Sequence, residues 1–196
     1  MSVAVAVLKG RTIAIAADTQ EGFGDRRVLR SDHASSKIIQ VGSAYLAQSG
    51  WGLYDNILRD YVARSGTPRL RNEQEIFVFF TRFWKRMRKD YSFVNDQPAD
   101  DDDKSPFADL DSSFLVTSPG GIFHVSGHMS VTRFKRFDAI GSGGAYALGA
   151  MLSVHHEDLD AAEIALRGCA AAVHFDVSCG GEIEVFSVKL DKTLRA

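Results

Sequence analysis

Two cysteines, Cys169 and Cys179, are all that the 196 residues contain. Ten positions apart in a chain of this length, they build no disulfide framework, and the cytoplasm is the expected compartment. An excess of either charge is also missing. Lys and Arg number 23 against 25 Asp and Glu, a formal net charge of −2. Nothing global therefore points to nucleic acid or to an anionic membrane. No apolar run approaches the ~18–20 residues of a bilayer span. The start has no positively charged region followed by an apolar stretch and a cleavage site, so no signal peptide is expected. There is no repeat of fixed period, and neither H-E-x-x-H nor C-x-x-C occurs among the six histidines and two cysteines. No metal and no cofactor are expected.

What is present, 45% hydrophobic residues, suits a single domain spanning 1–196 with a sizeable core. VAVAVL (3–8) and TIAIAAD (12–18) read as a β-hairpin with Gly10 in its turn. Their apolar runs are almost unbroken, the mark of strands buried on both faces. A polar stretch follows, then two short strands, KIIQVG and SAYLAQ. Residues 51–64 switch to helical spacing, with Leu53, Ile57, Tyr61 and Val62 expected on one face. A second helix follows SGTP, with Asn72 as its N-cap and Glu75 three residues on. NDQPADDDDKSPFADLD (95–111), acidic and with two prolines, reads as a loop. Strands resume at SSFLVTS and IFHVSG, and SVTRFKRFDAIG reads as one further strand region. Two helices come next, one after GSGG and one from about Asp160, and GGEIEVFSVKL closes the order as a strand. Helix pairs between sets of strands predict an α+β fold. It is a four-layer αββα sandwich, two antiparallel sheets between helix pairs, and not a regular βαβ alternation.

Several motifs have plain explanations. GSGG before a helix lacks the Lys and spacing of a phosphate loop and reads as a tight strand–helix turn. HHED (155–158) reads as solvated surface near a helix end. RFWKRMRK (82–89) reads as the solvated face of a packed helix. Ser2, Asp18 and Lys37 form a sharper constellation. A serine freed of Met1 carries its own base, the α-amine, whose ordinary pKa of ~7.7–8.0 leaves it partly neutral near pH 7. A nearby ammonium lowers that pKa further, and a carboxylate holds the ammonium in place. Ser2 begins one strand of the hairpin and Asp18 ends its antiparallel neighbour, so the two lie side by side. The small second residue makes removal of Met1 expected.

On these residues the sequence resembles the family of proteasome β-subunits and HslV peptidases, the N-terminal-nucleophile hydrolases. In that family an Asp follows the terminal Thr after sixteen positions, as Asp18 follows Ser2, and a Lys precedes an apolar strand, as in KIIQV. AIGSGG and the helix after it resemble a second family segment and place Ser142 at the supporting serine. D-V-S-C-G-G (176–181) resembles D-x-x-S-G-G and places Asp176 at the supporting carboxylate. The resemblance implies catalytic roles for Ser2, Asp18, Lys37, Ser142 and Asp176. It implies peptide-bond hydrolysis inside a homo-oligomer of two stacked rings, polypeptide substrates and, by analogy, an ATPase unfoldase as partner. Six- and seven-membered rings use the same elements. There are departures. Serine replaces the threonine nucleophile and loses the β-methyl that restricts its rotamers. Gln48 stands where a glycine amide lines the oxyanion hole, Gly22 where a threonine contacts the substrate backbone, and Cys179 where a second serine stands. They fit an outlying bacterial branch, such as Anbu or the β-proteobacterial proteasome homologue. They also leave room for a weakly active ring scaffold, or for an amidase acting on a small molecule.

Overall fold

The first two strands run Ala4–Lys9 (β1) and Thr12–Asp18 (β2), joined through Gly10 at φ 57°. Two short strands follow, Glu21–Phe23 (β3) and Arg26–Val28 (β4), then Ile38–Val41 (β5) and Ala44–Gly50 (β6). Helices α1 (Gly52–Ser65) and α2 (Glu73–Asp90) come next. They are followed by β7 (Ser112–Ser118), β8 (Gly121–Val125), β9 (Val131–Phe134) and β10 (Phe137–Ile140). Helices α3 (Gly144–Val154) and α4 (Ala161–Phe175) precede the last strand, β11 (Ile183–Lys189). This computed structural model describes residues 2–29, 32–33, 35–91 and 109–194. Met1 and most of the acidic stretch at 95–111 lie outside the described residues.

Two antiparallel sheets stack face to face. One has the order β10-β1-β2-β11, the other β5-β6-β7-β8-β9. Because side chains alternate along a strand, the central hairpin serves two cores at once. Val3, Val5, Val7, Ala14 and Ala16 pack under α3 and α4, against Ala147, Met151, Ile164 and Cys169. Ala4, Ala6, Leu8, Ile13 and Ile15 fill the space between the sheets with Ile38, Leu115 and Ile122. That double burial explains the unbroken apolar runs. The outer face of the five-stranded sheet is covered by α1 and α2 through an aromatic cluster that includes Phe79, Phe80, Phe83, Phe114 and Phe123. The fold is thus the expected αββα sandwich.

Local chemistry sets the helix ends. The Asn72 side chain accepts the Glu75 N–H (2.9 Å), while the Glu75 carboxylate reaches back to the Arg71 N–H instead of closing a box on Asn72. Asp160 and Glu163 form the complete reciprocal box at the start of α4.

The sequence reading needs four corrections. SVTRFKRFDAIG is two strands, not one: β9 belongs to the five-stranded sheet and β10 to the other. Phe134 packs between the sheets and Phe137 under α3, so the chain crosses over at Lys135 and Arg136. The polar stretch after Asp18 contains the β3–β4 hairpin, turned at Gly24 with φ 60°. On α1 the buried pair is Ile57 and Leu58, whereas Leu53 is exposed. His155 is not solvated surface, since its Nε2 meets the Leu8 carbonyl at 3.1 Å and its ring packs on Phe137. The basic residues of α2 do face solvent around the buried Phe80 and Phe83. Among the described residues no helix is long and apolar enough to cross a membrane.

Candidate active site

Asp18 ends β2 with a side chain fully shut off from solvent, and four donors converge on it. Oδ1 accepts the Val3 N–H (3.0 Å) and the Lys37 ammonium (2.8 Å). Oδ2 accepts the N–H groups of Gln20 (3.3 Å) and Gly180 (3.0 Å). The carboxylate therefore joins the lysine before β5 to the peptide that follows Ser2, and ties both to the loop before β11. The Lys37 side chain is itself only 11% exposed. A buried ion pair with its remaining lone pairs satisfied is held in one geometry, and loss of the carboxylate leaves the lysine stranded.

Ser2 is 6% exposed and sits beside the turn that starts α3. Its carbonyl accepts the Gly143 N–H at 3.4 Å. A Cβ on Gly141 would lie 2.0 Å from that carbonyl oxygen, and Gly141 has φ +92°. Both facts require glycine there. A Cβ on Gly143 would meet the sulfur of Cys179 at 2.8 Å. The GSGG turn is thus a strand–helix connection laid directly against Ser2.

Ser142, in that turn, hydrogen-bonds the carboxylate of Asp176. Asp176 caps the end of α4 and also accepts the Ser178 N–H (2.8 Å) and the Cys179 thiol (3.6 Å). Partial burial works against ionisation of Asp176, but these hydrogen bonds outweigh it and hold its carboxyl below the usual range. The Cys179 thiol is pushed up to about 12, first by burial and then by Asp18 and Asp176. Burial pushes Cys169 higher still. Neither cysteine is a thiolate near neutral pH, so neither is a nucleophile.

The two other candidates, Gly22 and Gln48, have side-chain surroundings of their own. Gly22 is in the exposed β3–β4 hairpin opposite Arg27, in open space. Gln48 is buried in β6, and its side-chain amide donates to Ser112 Oγ (3.1 Å) and the Trp51 carbonyl (3.3 Å). Its length is absorbed by the wall between β6, β7 and α1. Among the described residues no group of His, Cys, Asp and Glu could hold a metal ion. The sequence reading does not anticipate the site's backbone partners, Gly180 and Gly141. Their signal is the paired glycines of CGG and GSGG, which residue type alone shows only as turns.

Ser2 thus stands just before a central strand, and the buried Lys37–Asp18 pair is hydrogen-bonded to the peptide that follows it. Solved structures similar to the chain over nearly its whole length show its family. Thiobacillus denitrificans BPH, a bacterial proteasome homologue, solved in complex with epoxomicin, is 32% identical over 96% of this chain and 99% of that one, with a TM-score of 0.87. The chain belongs to the proteasome/HslV-like family of N-terminal-nucleophile hydrolases. A second structure of Thiobacillus denitrificans BPH gives 31% identity, coverage of 97% and 99%, and a TM-score of 0.88. HslV from Trypanosoma brucei shares the fold, at 18% identity, coverage of 95% and 99%, and a TM-score of 0.64. No protein-family model matches the chain, and no curated protein does. Membership in the family makes the protein a proteasome-like hydrolase in kind.

Proposed function

We propose that the protein is a cytoplasmic N-terminal serine peptidase that cuts polypeptides inside a ring-shaped homo-oligomer. The observation that carries this is the Asp18 carboxylate, which joins the Lys37 ammonium (2.8 Å) to the peptide of Ser2 and Val3 (3.0 Å). Met1 is removed, which frees the Ser2 α-amine. Lys37 lowers the pKa of that amine, so that more of it is neutral near pH 7, and Asp18 orients the lysine. The neutral amine takes the Ser2 hydroxyl proton as Oγ attacks the scissile carbonyl. A backbone N–H at Gln48 supports the oxyanion. The amine then passes its proton to the departing amine of the substrate, and an acyl ester remains on Ser2. Water, deprotonated by the same amine, hydrolyses the ester. Ser142 and Asp176 support the nucleophile's side of the site from the α3 and α4 termini. With Gly22 in place of threonine, substrate loses one backbone contact, and Cys179 packs where a serine would donate.

Two stacked rings supply the confinement that one sandwich cannot. The α3–α4 layer offers a surface for ring–ring contact: Tyr146 stacks on Phe175 with centroids 5.6 Å apart, and both are exposed, with Val177 beside them at 89% exposure. By analogy, an ATPase that unfolds substrates is the partner such a chamber calls for.

Intact mass of protein made in its native host, hydrolysis of a mixed peptide library, and a Ser2→Ala variant test the reading. The expected result is a mass lacking Met1, together with hydrolysis that Ser2→Ala abolishes. A retained Met1 would remove the base and leave a ring scaffold. A stable monomer or dimer by analytical ultracentrifugation would leave a small-molecule amidase.

A further inference from the structure

The residue before Lys37 is gripped from two layers of the sandwich. Ser36 precedes β5 and belongs to no strand. Its hydroxyl donates to Glu184 Oε2 in β11 at 2.5 Å and accepts the Ile38 N–H at 3.1 Å. Its carbonyl accepts Nη2 of Arg59, which comes from α1. Arg59 is aimed by Asp55, one turn earlier, through an Nε–Oδ2 contact of 2.7 Å. One anchor thus comes from the helix over the five-stranded sheet. The other comes from the edge strand of the four-stranded sheet.

These anchors matter because strand pairing does not hold Lys37. Pairing of β5 begins at Ile38, opposite Ala47. Among the described residues between Val28 and Ile38 there is no strand, and His33 Nε2 meets the Thr19 carbonyl at 3.0 Å. The lysine's Cα is therefore set by Ser36, while only its ammonium is set by Asp18. A long, rotatable lysine reaches its target reproducibly only if its base is fixed.

We propose that Arg59 and Glu184 are positioning residues for Lys37, holding its backbone so that the ammonium stands at a fixed distance from the Ser2 amine. The inference rests on the N-terminal-nucleophile reading above. Neither residue touches the reacting atoms. Arg59 suits the task because its guanidinium directs one N–H to Asp55 and another to the Ser36 carbonyl, which a lysine ammonium at the same place does not reproduce. The coupling between two like charges falls with distance. Release of Ser36 lets the ammonium drift, and the amine pKa climbs back towards its ordinary ~7.7–8.0.

The test reads that amine directly. Mature protein is acetylated with trace acetic anhydride across pH 5–9, and the extent of Ser2 labelling by mass spectrometry gives the amine's pKa without need of substrate. Lys37→Ala is expected to raise it most. Arg59→Ala and Glu184→Leu should raise it by about half a unit, the scale of an ångström's drift. Glu184→Gln keeps an acceptor for Ser36 and should stay near wild type. With peptide substrates, kcat at pH 7 should fall about two- to threefold in Arg59→Ala and Glu184→Leu at unchanged KM, and the gap should narrow towards pH 9. A purely structural role would lower activity equally at every pH. Arg59→Lys carries the same test if Arg59→Ala does not fold. If Lys37→Ala raises the pKa while Arg59→Lys and Glu184→Leu leave it alone, the positioning proposal falls by itself. If Lys37→Ala leaves it alone, the amine–lysine chemistry falls and takes this proposal with it.

Discussion

Asp18→Asn looks conservative and should not be. The carboxylate offers two acceptor oxygens to four donors, two on each side. An asparagine keeps one oxygen. If that oxygen faces Lys37 and Val3, the amide nitrogen faces the N–H groups of Gln20 and Gly180, and the reverse rotamer strands the other pair. Two buried donors lose their acceptor in either case, at about 1–3 kcal/mol each, for a total of about 4 kcal/mol. That is a large share of the roughly 5–15 kcal/mol that holds a domain of this kind together. At about 2–4 °C per kcal/mol for this size, the melting temperature should fall by about 8–16 °C. Lys37→Ala is the comparison. It leaves Asp18 with three N–H donors, and water can enter because the lysine side chain is 11% exposed. One charge-assisted bond is lost, about 2 kcal/mol. Both variants should be melted at the same protomer concentration, because assembly contributes to apparent stability. A drop of less than about 3 °C in Asp18→Asn, or a larger drop in Lys37→Ala, would refute the four-donor account.

Three further outcomes are expected. Lys37→Ala should lose peptide hydrolysis while keeping the wild-type oligomer by light scattering, and full activity would mean that Ser2 uses another base. Ser142→Ala removes one of the hydrogen bonds that hold the Asp176 carboxyl below its ordinary range. A lowered folded-state pKa stabilises above the unfolded value of ~3.9 and loses that effect as pH falls through the folded value. The variant's deficit should therefore be constant near pH 7 and shrink below pH ~4, so denaturation at pH 7 and pH 3 checks the sign. Cys169 and Cys179, both buried and with raised pKa values, should resist Ellman's reagent at pH 8 until the protein is unfolded in guanidinium.

Much of the fold was legible because burial on two faces, helical spacing and capping residues leave marks in residue type. The central hairpin, the helices and the N-cap at Asn72 carry such marks. The β3–β4 hairpin carries none: its strands are three residues each and mostly polar, so no alternation accumulates. The crossover between β9 and β10 hides because both sides of Lys135 and Arg136 are strand-forming, and nothing local says that they join different sheets. In the site, the interval from Ser2 to Asp18 announces their adjacency. The Gly180 N–H on Asp18 and the Gly141 turn against Ser2 are backbone contacts across 162 and 139 positions, and no side chain advertises them. The placements of Ser142 and Asp176 were read from resemblance; geometry joins the two by a hydrogen bond.

Register is where sequence, fold and site meet. A one-residue slip between strands normally turns apolar side chains to water and is penalised for that. In β1 and β2 both faces are apolar and buried, so a slip would exchange one buried set for another. It would also carry Asp18 away from the Val3 N–H. Something other than polarity has to fix the pairing of Ala4 with Ala17. The turn does this: Lys9 pairs with Thr12, leaving a two-residue connection whose first residue, Gly10, takes φ 57°. Nothing lies within 4 Å of a Cβ built on Gly10, so Gly10→Ala incurs only the backbone cost of a positive φ. That cost is about 1–2 kcal/mol, partly offset by the stiffer unfolded chain, for a net loss of about 1 kcal/mol. Gly149 is the control. It is exposed inside α3, also with open space around it and without a positive φ. Gly149→Ala should therefore stabilise by about 0.5–1 kcal/mol. Thermal melts of the two variants should move in opposite directions. If Gly10→Ala melts at or above wild type, the turn is not what sets the register, and the Asp18–Val3 contact must be doing so.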